Sequence, residues 1–428
     1  MIRLIVRSKK DADALKAMLS QYLPSWGAEV VTLKGARKEK ILDKIDEAID
    51  RNKFNIVLLG REDSEVAKRL SEETPLNVIV HVVPRARLRN TRLKHMKSEL
   101  DKAKAQMRAW IGWKEEVPYF EKRYPVKVEP PDDPFFAWGL WWETLGLGEA
   151  SNKAFLVFKR AKGFHEIYSK GKVTAMAEIP DEGSPSVTPL GKVEGFDLKE
   201  MVELSSSFLR DLEEITVRAL GPCGEAVVPW SGGKDSTAAL LIAKRACKKV
   251  YAVYVNTGVD MGMNSIYIKA LGKKLGVEVI EAYAPVKEGI AERGLPQRED
   301  RWCTGLKLEA LERTIKELGV ETVVVGDRDA ESSSRSDRWA VRSWEGVGEV
   351  RAPLKLWSAA HVQAYLLWKG VPINPLYPSG FYRLGCYICP FLRGYEKELL
   401  RKVKIARLGA EEELLELFLN SQSLQSSR

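Results

Sequence analysis

From residue 225 the chain alternates continuous apolar runs with amphipathic stretches. "EAVVPW", "KVYAVYVN", "VEVIEAY" and "ETVVVGD" read as strands buried on both faces, as a covered parallel sheet requires. Helices over 235–247, 263–275 and 304–318 connect them. The pattern predicts a doubly wound α/β sheet over about residues 196–395. It opens on "FDLKEMVELSSSFLRDLEEITVRAL", an amphipathic helix with Asp197 as its cap.

Residues 1–83 carry a second alternation. "RLIVR", "AEVVTL", "NIVLLG" and "NVIVHVV" read as short strands between amphipathic helices, a small α/β domain. Residues 126–192 read as an aromatic and β-rich accessory region, its later part alternating with a period near two. Prolines in "VPYFEKRYPVKVEPPDDPFFAWGLWWETLG" interrupt regular structure before it. Residues 396–428 read as a C-terminal helix and polar tail.

Charge adds one region. The net charge is +9, and residues 84–108 hold nine Lys/Arg against Glu99 and Asp101. Residues 84–125 therefore read as a basic helical arm or linker. A solvated helix, a surface for tRNA or another RNA, and a membrane-surface helix are all compatible with that balance. Five of the twelve tryptophans fall between Trp110 and Trp142. They form an aromatic core or a base-stacking surface. No apolar run approaches 18 residues and no secretory signal opens the chain. A cytoplasmic protein with no membrane span is the expectation.

The chemistry concentrates in "VVPWSGGKDSTAALLIAKRAC", residues 227–247. Ligands of open α/β sheets bind beyond the carboxyl ends of the strands, where this turn falls. Gly232 and Gly233 can take positive φ and expose N–H groups. The helix that follows offers its positive N-terminus to a phosphate. Lys234 adds a full charge, and Ser231, Ser236 and Thr237 add hydroxyls. A Walker loop would place Ser or Thr directly after the lysine; here Asp235 intervenes.

"SGGKDS" is instead similar to the PP-loop of ATP pyrophosphatases, which cleave ATP between the α and β phosphates. "VNTG" (255–258), "REDRWCTGLK" (298–307), "GDRDAESSSR" (326–335) and "NPLYPSGFYRLGCYICPF" (374–391) follow in order. The set resembles the phosphoadenylyl-sulfate (PAPS) reductase family and its sulfur-transfer relatives, over about 196–395. The resemblance implies an adenine nucleotide alpha-hydrolase-like fold. It implies a nucleotide site at Ser231, Gly232, Gly233, Lys234, Asp235, Ser236, Thr257, Gly258 and Gly326. Lys234, Asp235, Arg328, Arg335 and Lys307 become the candidate catalytic residues, and Glu331 falls within the same motif. Guanidinium forks at Arg328 and Arg335 suit phosphate or sulfate oxygens.

Cys303, Cys386 and Cys389 match the family's iron–sulfur positions, with Thr304 where a second adjacent cysteine would stand. The resemblance therefore implies a 4Fe-4S cluster on three thiolates, one iron open; zinc, plain thiols and a disulfide are the alternatives. Cys223 and Cys247 lie about 25 Å and about 20 Å from the loop by strand and helix rise. Both read as buried small hydrophobes. His361 reads as a solvent-facing helix residue. The reductases of the family need a nucleophilic cysteine on a C-terminal tail, and residues 390–428 contain none. The family resemblance with that departure implies an enzyme using ATP and Mg²⁺ to adenylate a substrate for sulfur transfer, with tRNA as the preferred acceptor. A sulfonucleotide reductase and a nucleotide-binding module without turnover are the other readings.

Overall fold

A computed structural model of the chain describes residues 1–24, 26, 28–122 and 127–423. The end of the expected 84–125 segment and the last five residues of the tail lie outside the described residues.

The N-terminal strands are β1 (Ile2–Val6), β2 (Glu29–Thr32), β3 (Phe54–Gly60) and β4 (Val78–Val83). They form a parallel sheet in the order β2-β1-β3-β4. Alternate residues point to opposite faces. Leu4, Val6 and Leu58 join one core with Leu15 and Leu100, while Ile5, Val57 and Leu59 join another with Ile41 and Leu70.

Residues 84–108 are not a free arm. Their helix, Leu93–Ala105, covers the first of those faces through Met96, Leu100 and Ala103. That spacing is one face of a helix. Lys104 is buried and lies 3.2 Å from both Asp101 and Asp329. Lys97 bridges Asp101 and Asp337, each at 2.9 Å. Buried Arg108 donates to the carbonyls of Pro130 and Asp132. Much of the expected positive surface is thus neutralised internally, because buried ammonium and guanidinium groups need partners.

A hairpin of β5 (Ile111–Lys114) and β6 (Val117–Phe120) precedes a five-stranded antiparallel sheet. Its strands are β7 (Asp133–Gly139), β8 (Ser151–Lys159), β9 (Phe164–Ser169), β10 (Lys172–Glu178) and β11 (Ser186–Pro189). Trp110, Trp141 and Trp142 are buried and serve as core. Trp141 donates its indole N–H to the carbonyl of Tyr377, and Leu140 donates to that of Pro378. Gln363 exchanges two 2.8 Å hydrogen bonds with the backbone of Phe136. The sheet is therefore fixed to the module that follows.

That module is a six-stranded sheet in the order β14-β13-β12-β15-β17-β16. Its strands are β12 (Cys223–Pro229), β13 (Cys247–Asn256), β14 (Glu278–Tyr283), β15 (Thr322–Val324), β16 (Val341–Trp344) and β17 (Gly348–Arg351). All pairs are parallel except β16 with β17. Val227 of β12 is central, paired to Tyr251 and Val323. No helix among the described residues is long and apolar enough to cross a membrane.

Two sequence expectations are corrected here. Cys247 opens β13 rather than closing a helix, in register with Cys223 on β12, and the two form a disulfide. His361 is buried, not solvent-facing. Its Nδ1 accepts the N–H of Ser358, and its ring stacks on Phe208 with centroids 5.5 Å apart. Burial lowers its pKa to about 3, so the ring is neutral at pH 7.

The disulfide encloses the strand, loop and helix around residues 231–236, a separation of 24 residues. Loop-closure entropy of that size is worth about 3 kcal/mol. Cys223→Ser should therefore lower the melting temperature by roughly 6–12 °C, and thiol reductant should abolish the difference from wild type. Equal melting in non-reducing buffer would show that the bond adds no stability.

Candidate nucleotide-binding site

The turn joins β12 to the helix Lys234–Ala246, with Gly233 at the N-cap. Its shape is set by contacts that only small residues permit. Gly232 has φ +72°, and a Cβ there would stand 2.3 Å from Oδ1 of Asn264. Gly326, just beyond β15, touches the first helical turn; a Cβ would stand 2.6 Å from the backbone of Asp235. Asn264 donates to Ser231 O at 2.8 Å, and Asn374 donates to Asn264 Oδ1 at 3.1 Å. The indole of Trp230 donates to Thr237 Oγ1, which donates on to Gly233 O. The Lys234 N–H donates to the hydroxyl of Tyr377. No side chain of the helix's own N-cap satisfies the first turn, so its remaining donors suit an anion.

The charges at the turn form one chain. Lys234 Nζ lies 2.7 Å from Asp235 Oδ2, and Arg328 Nε lies 2.5 Å from Asp235 Oδ1. Arg328 Nη1 reaches both oxygens of Asp133, at 2.9 and 3.1 Å. Asp133 also accepts the Ala359 N–H at 2.7 Å. Burial disfavours the charged Asp235, but Arg328 and Lys234 outweigh it and hold its pKa at about 2. Burial likewise works against Lys234, and the Asp235 carboxylate more than compensates, so its pKa is raised. Two cations and two carboxylates thus balance beside the helix N-terminus.

Arg335 lies one step outward, paired with Glu331 and 3.7 Å from Asp327. Glu331 Oε2 accepts the Arg328 N–H, which ties the two together. Serine hydroxyls 231 and 236 lie 3.2 Å apart at the mouth of the turn.

Thr257, Lys307 and Cys386 form a second set. Lys307 Nζ lies 3.1 Å from Cys386 Sγ, and Thr257 Oγ1 lies 3.4 Å from the same sulfur. Thr257 Oγ1 also donates to Asp260 at 3.0 Å, so the buried hydroxyl serves its own turn. Gly258 has φ +72° and its N–H donates to Asn256. Burial pushes the Cys386 thiol up to about 11, with Lys307 pulling the other way. Burial also raises Cys389. Cys303 and Cys389 are half-buried.

Among the described residues, no group of three or more His, Cys, Asp or Glu side chains is gathered as a metal site. Cys386 is turned toward Lys307 and Thr257. Cys303 and Cys389 lie around the same ammonium, each within electrostatic reach of Lys307, so the three cysteines expected from the resemblance are grouped about Lys307.

Several residues at the turn escape the sequence reading. Asp133 lies in "PPDDPFF", where prolines draw attention from the acidic pair. Asn264 sits in a helix with no distinguishing neighbour. Asn374 and Tyr377 lie in "NPLYPSGF", a motif whose individual residues carry no role by spacing alone.

The family model described as the phosphoadenosine phosphosulfate reductase domain matches residues 225–392. An adenosine 5'-phosphosulfate reductase of Streptomyces coelicolor is 30% identical over 201 residues, covering 45% of this chain and 84% of that protein. An uncharacterised protein of Methanocaldococcus jannaschii is 30% identical over 221 residues, 49% of this chain and 46% of its own length. The chain spans half or less of the first curated relatives it matches. A PAPS reductase of Candida auris, solved with phosphate, is 20% identical at TM-score 0.34, covering 45% of this chain and 93% of that one. A U34-tRNA thiolase of Methanococcus maripaludis, solved with its [4Fe-4S] cluster, is 14% identical at TM-score 0.33, covering 53% and 86%. With the match over 225–392 and most of the Streptomyces enzyme spanned, this chain belongs to the phosphoadenosine phosphosulfate reductase family.

Proposed function

We propose that the chain is an ATP-dependent enzyme that transfers AMP to an acceptor and releases pyrophosphate. The observation that carries this reading is the turn after β12. Gly232 at positive φ, a helix N-terminus and Lys234 converge at the carboxyl end of a central strand. There the β and γ phosphates of magnesium-bound ATP would meet N–H groups and the ammonium, leaving the α-phosphate exposed. An acceptor oxygen attacks that phosphorus, the bond to the bridging oxygen breaks, and pyrophosphate leaves with its charge held by Lys234 and the helix. Arg328 keeps Asp235 ionised and in place, so Lys234 has a fixed tether within reach of an incoming phosphate. An RNA acceptor, with sulfur transfer after adenylation, is the partner class supported by the positive balance of the chain.

A second reading, reduction of a sulfonucleotide to sulfite, is favoured by the reductase relatives. It requires a thiol to attack the substrate sulfur, and Cys303 or Cys389 is the accessible candidate. The experiment incubates the full chain with labelled pyrophosphate and magnesium ATP, with and without bulk tRNA, and in parallel with adenosine 5'-phosphosulfate and a dithiol. Labelled ATP formed by exchange supports the first reading. Sulfite release with no exchange overturns it in favour of the second. Binding of ATP with neither product overturns both.

A further inference from the structure

We propose that the N-terminal domain carries a separate phosphate-binding pocket at the start of the helix Leu93–Ala105. It goes beyond the nucleotide reading and stands whether or not the turn at 231–236 uses ATP.

A cavity of about 240 Å³ is lined by Pro84, Arg85, Thr91, His95 and Glu99. Pro84 and Arg85 follow β4 directly, so the cavity opens at the carboxyl end of a strand in a parallel sheet. That is where open α/β sheets bind ligands. The helix that borders it has no side-chain cap and no acid in its first turn. Its N-terminal N–H groups and dipole favour an anion. Arg85 and His95 are exposed, and among the described residues neither side chain finds an ion-pair or hydrogen-bond partner. Arg92 and Lys94, also exposed, add positive charge beside the same turn.

A second observation points to a ligand independently of the helix end. Thr91 is only 7% exposed, lines the cavity, and its Oγ1 has no hydrogen-bond partner among the described residues. A buried hydroxyl without a partner costs roughly 1–3 kcal/mol; a phosphate oxygen in the cavity would accept its proton. The one acid on the lining, Glu99, is engaged on both oxygens, by His81 at 2.7 Å and Lys102 at 3.1 Å. Its charge is answered from its own side and is compatible with an anion opposite it. The ligand class is a phosphate group, supplied either by a small phosphate compound or by an RNA backbone.

The test follows the imidazole C2 proton of His95 in the full chain by NMR, assigned with His95→Gln. The chain has four histidines, of which His165 and His361 are buried. The probes are inorganic phosphate and, separately, a single-stranded oligoribonucleotide. A saturable shift of the His95 signal is expected in wild type and in Lys234→Ala alike, because none of the residues lining the pocket belongs to the nucleotide turn. Arg85→Ala should weaken the apparent Kd about tenfold, and Thr91→Val about threefold. Saturation by the oligoribonucleotide at lower phosphate-group concentration identifies an RNA backbone as the source; the reverse order identifies a small phosphate. No saturable shift in wild type, or an unchanged Kd in the Arg85→Ala/Thr91→Val double variant, overturns the pocket. Either result leaves pyrophosphate exchange at the other site to be read on its own.

Discussion

Asp133→Ala should destabilise the protein by about 3–5 kcal/mol, the range measured when one partner of a buried ion pair is removed. Asp133 and Arg328 are 3% and 2% exposed. The carboxylate takes both bonds from Arg328 and caps the helix Ala359–Trp368 through the Ala359 N–H. Truncation leaves a buried guanidinium with Asp235 as its one remaining carboxylate and orphans a helix donor. Calorimetry should show the main transition falling by roughly 10 °C. Asp133→Asn keeps an acceptor for Ala359 and should recover part of that loss. The effect also reaches function, since Arg328 holds Asp235 and Asp235 tethers Lys234. ATP affinity should fall in the alanine variant even at temperatures where it is folded. A melting temperature within 2 °C of wild type would show that the accessory sheet does not depend on this residue to dock.

The same residue marks where sequence reading stops. The turn at 231–236 is legible because every local signal agrees: apolar strand, paired glycines, cation, helix start. Gly326 and Arg328 are legible because they end a strand beside it. Asp133 is not, because its partner is 195 positions away and no periodicity records that distance. Cys223 and Cys247 mislead for a related reason. Their separation along the chain looks long, yet parallel register places their Cα atoms 4.5 Å apart. His361 could have been read correctly: "AAHVQAYLLW" is apolar on all sides, the mark of a buried helix. For the basic segment, charge counting does not record which lysines face inward. Met96, Leu100 and Ala103 already fix the buried face, but whether Lys104 meets Asp329 depends on the neighbouring module.

Lys234→Ala should lower pyrophosphate exchange by about 10²–10³, the loss typical of removing one electrostatic stabiliser of developing charge. The substitution separates the ammonium from the turn that carries it. The backbone N–H of Lys234 still reaches Tyr377, and Gly232, Asn264 and Asn374 still set the loop. Asp235 keeps Arg328 as a partner at 2.5 Å, so stability should change far less than with Asp133→Ala. Lys234 differs from Arg328 in where its charge can go. Arg328 is held on both sides by carboxylates, whereas Lys234 has one carboxylate and lies 5.5 Å from the Tyr377 ring. On the proposed reaction it is therefore the cation with fewer competing carboxylates, and the one that would answer charge developing on pyrophosphate. The loss should appear mainly in kcat, with a smaller rise in KM, because the helix N-terminus continues to bind the ground state. Exchange at the wild-type rate would mean that the triphosphate does not lie on this turn. A rise in KM alone would mean that Lys234 holds ATP without stabilising the departing pyrophosphate.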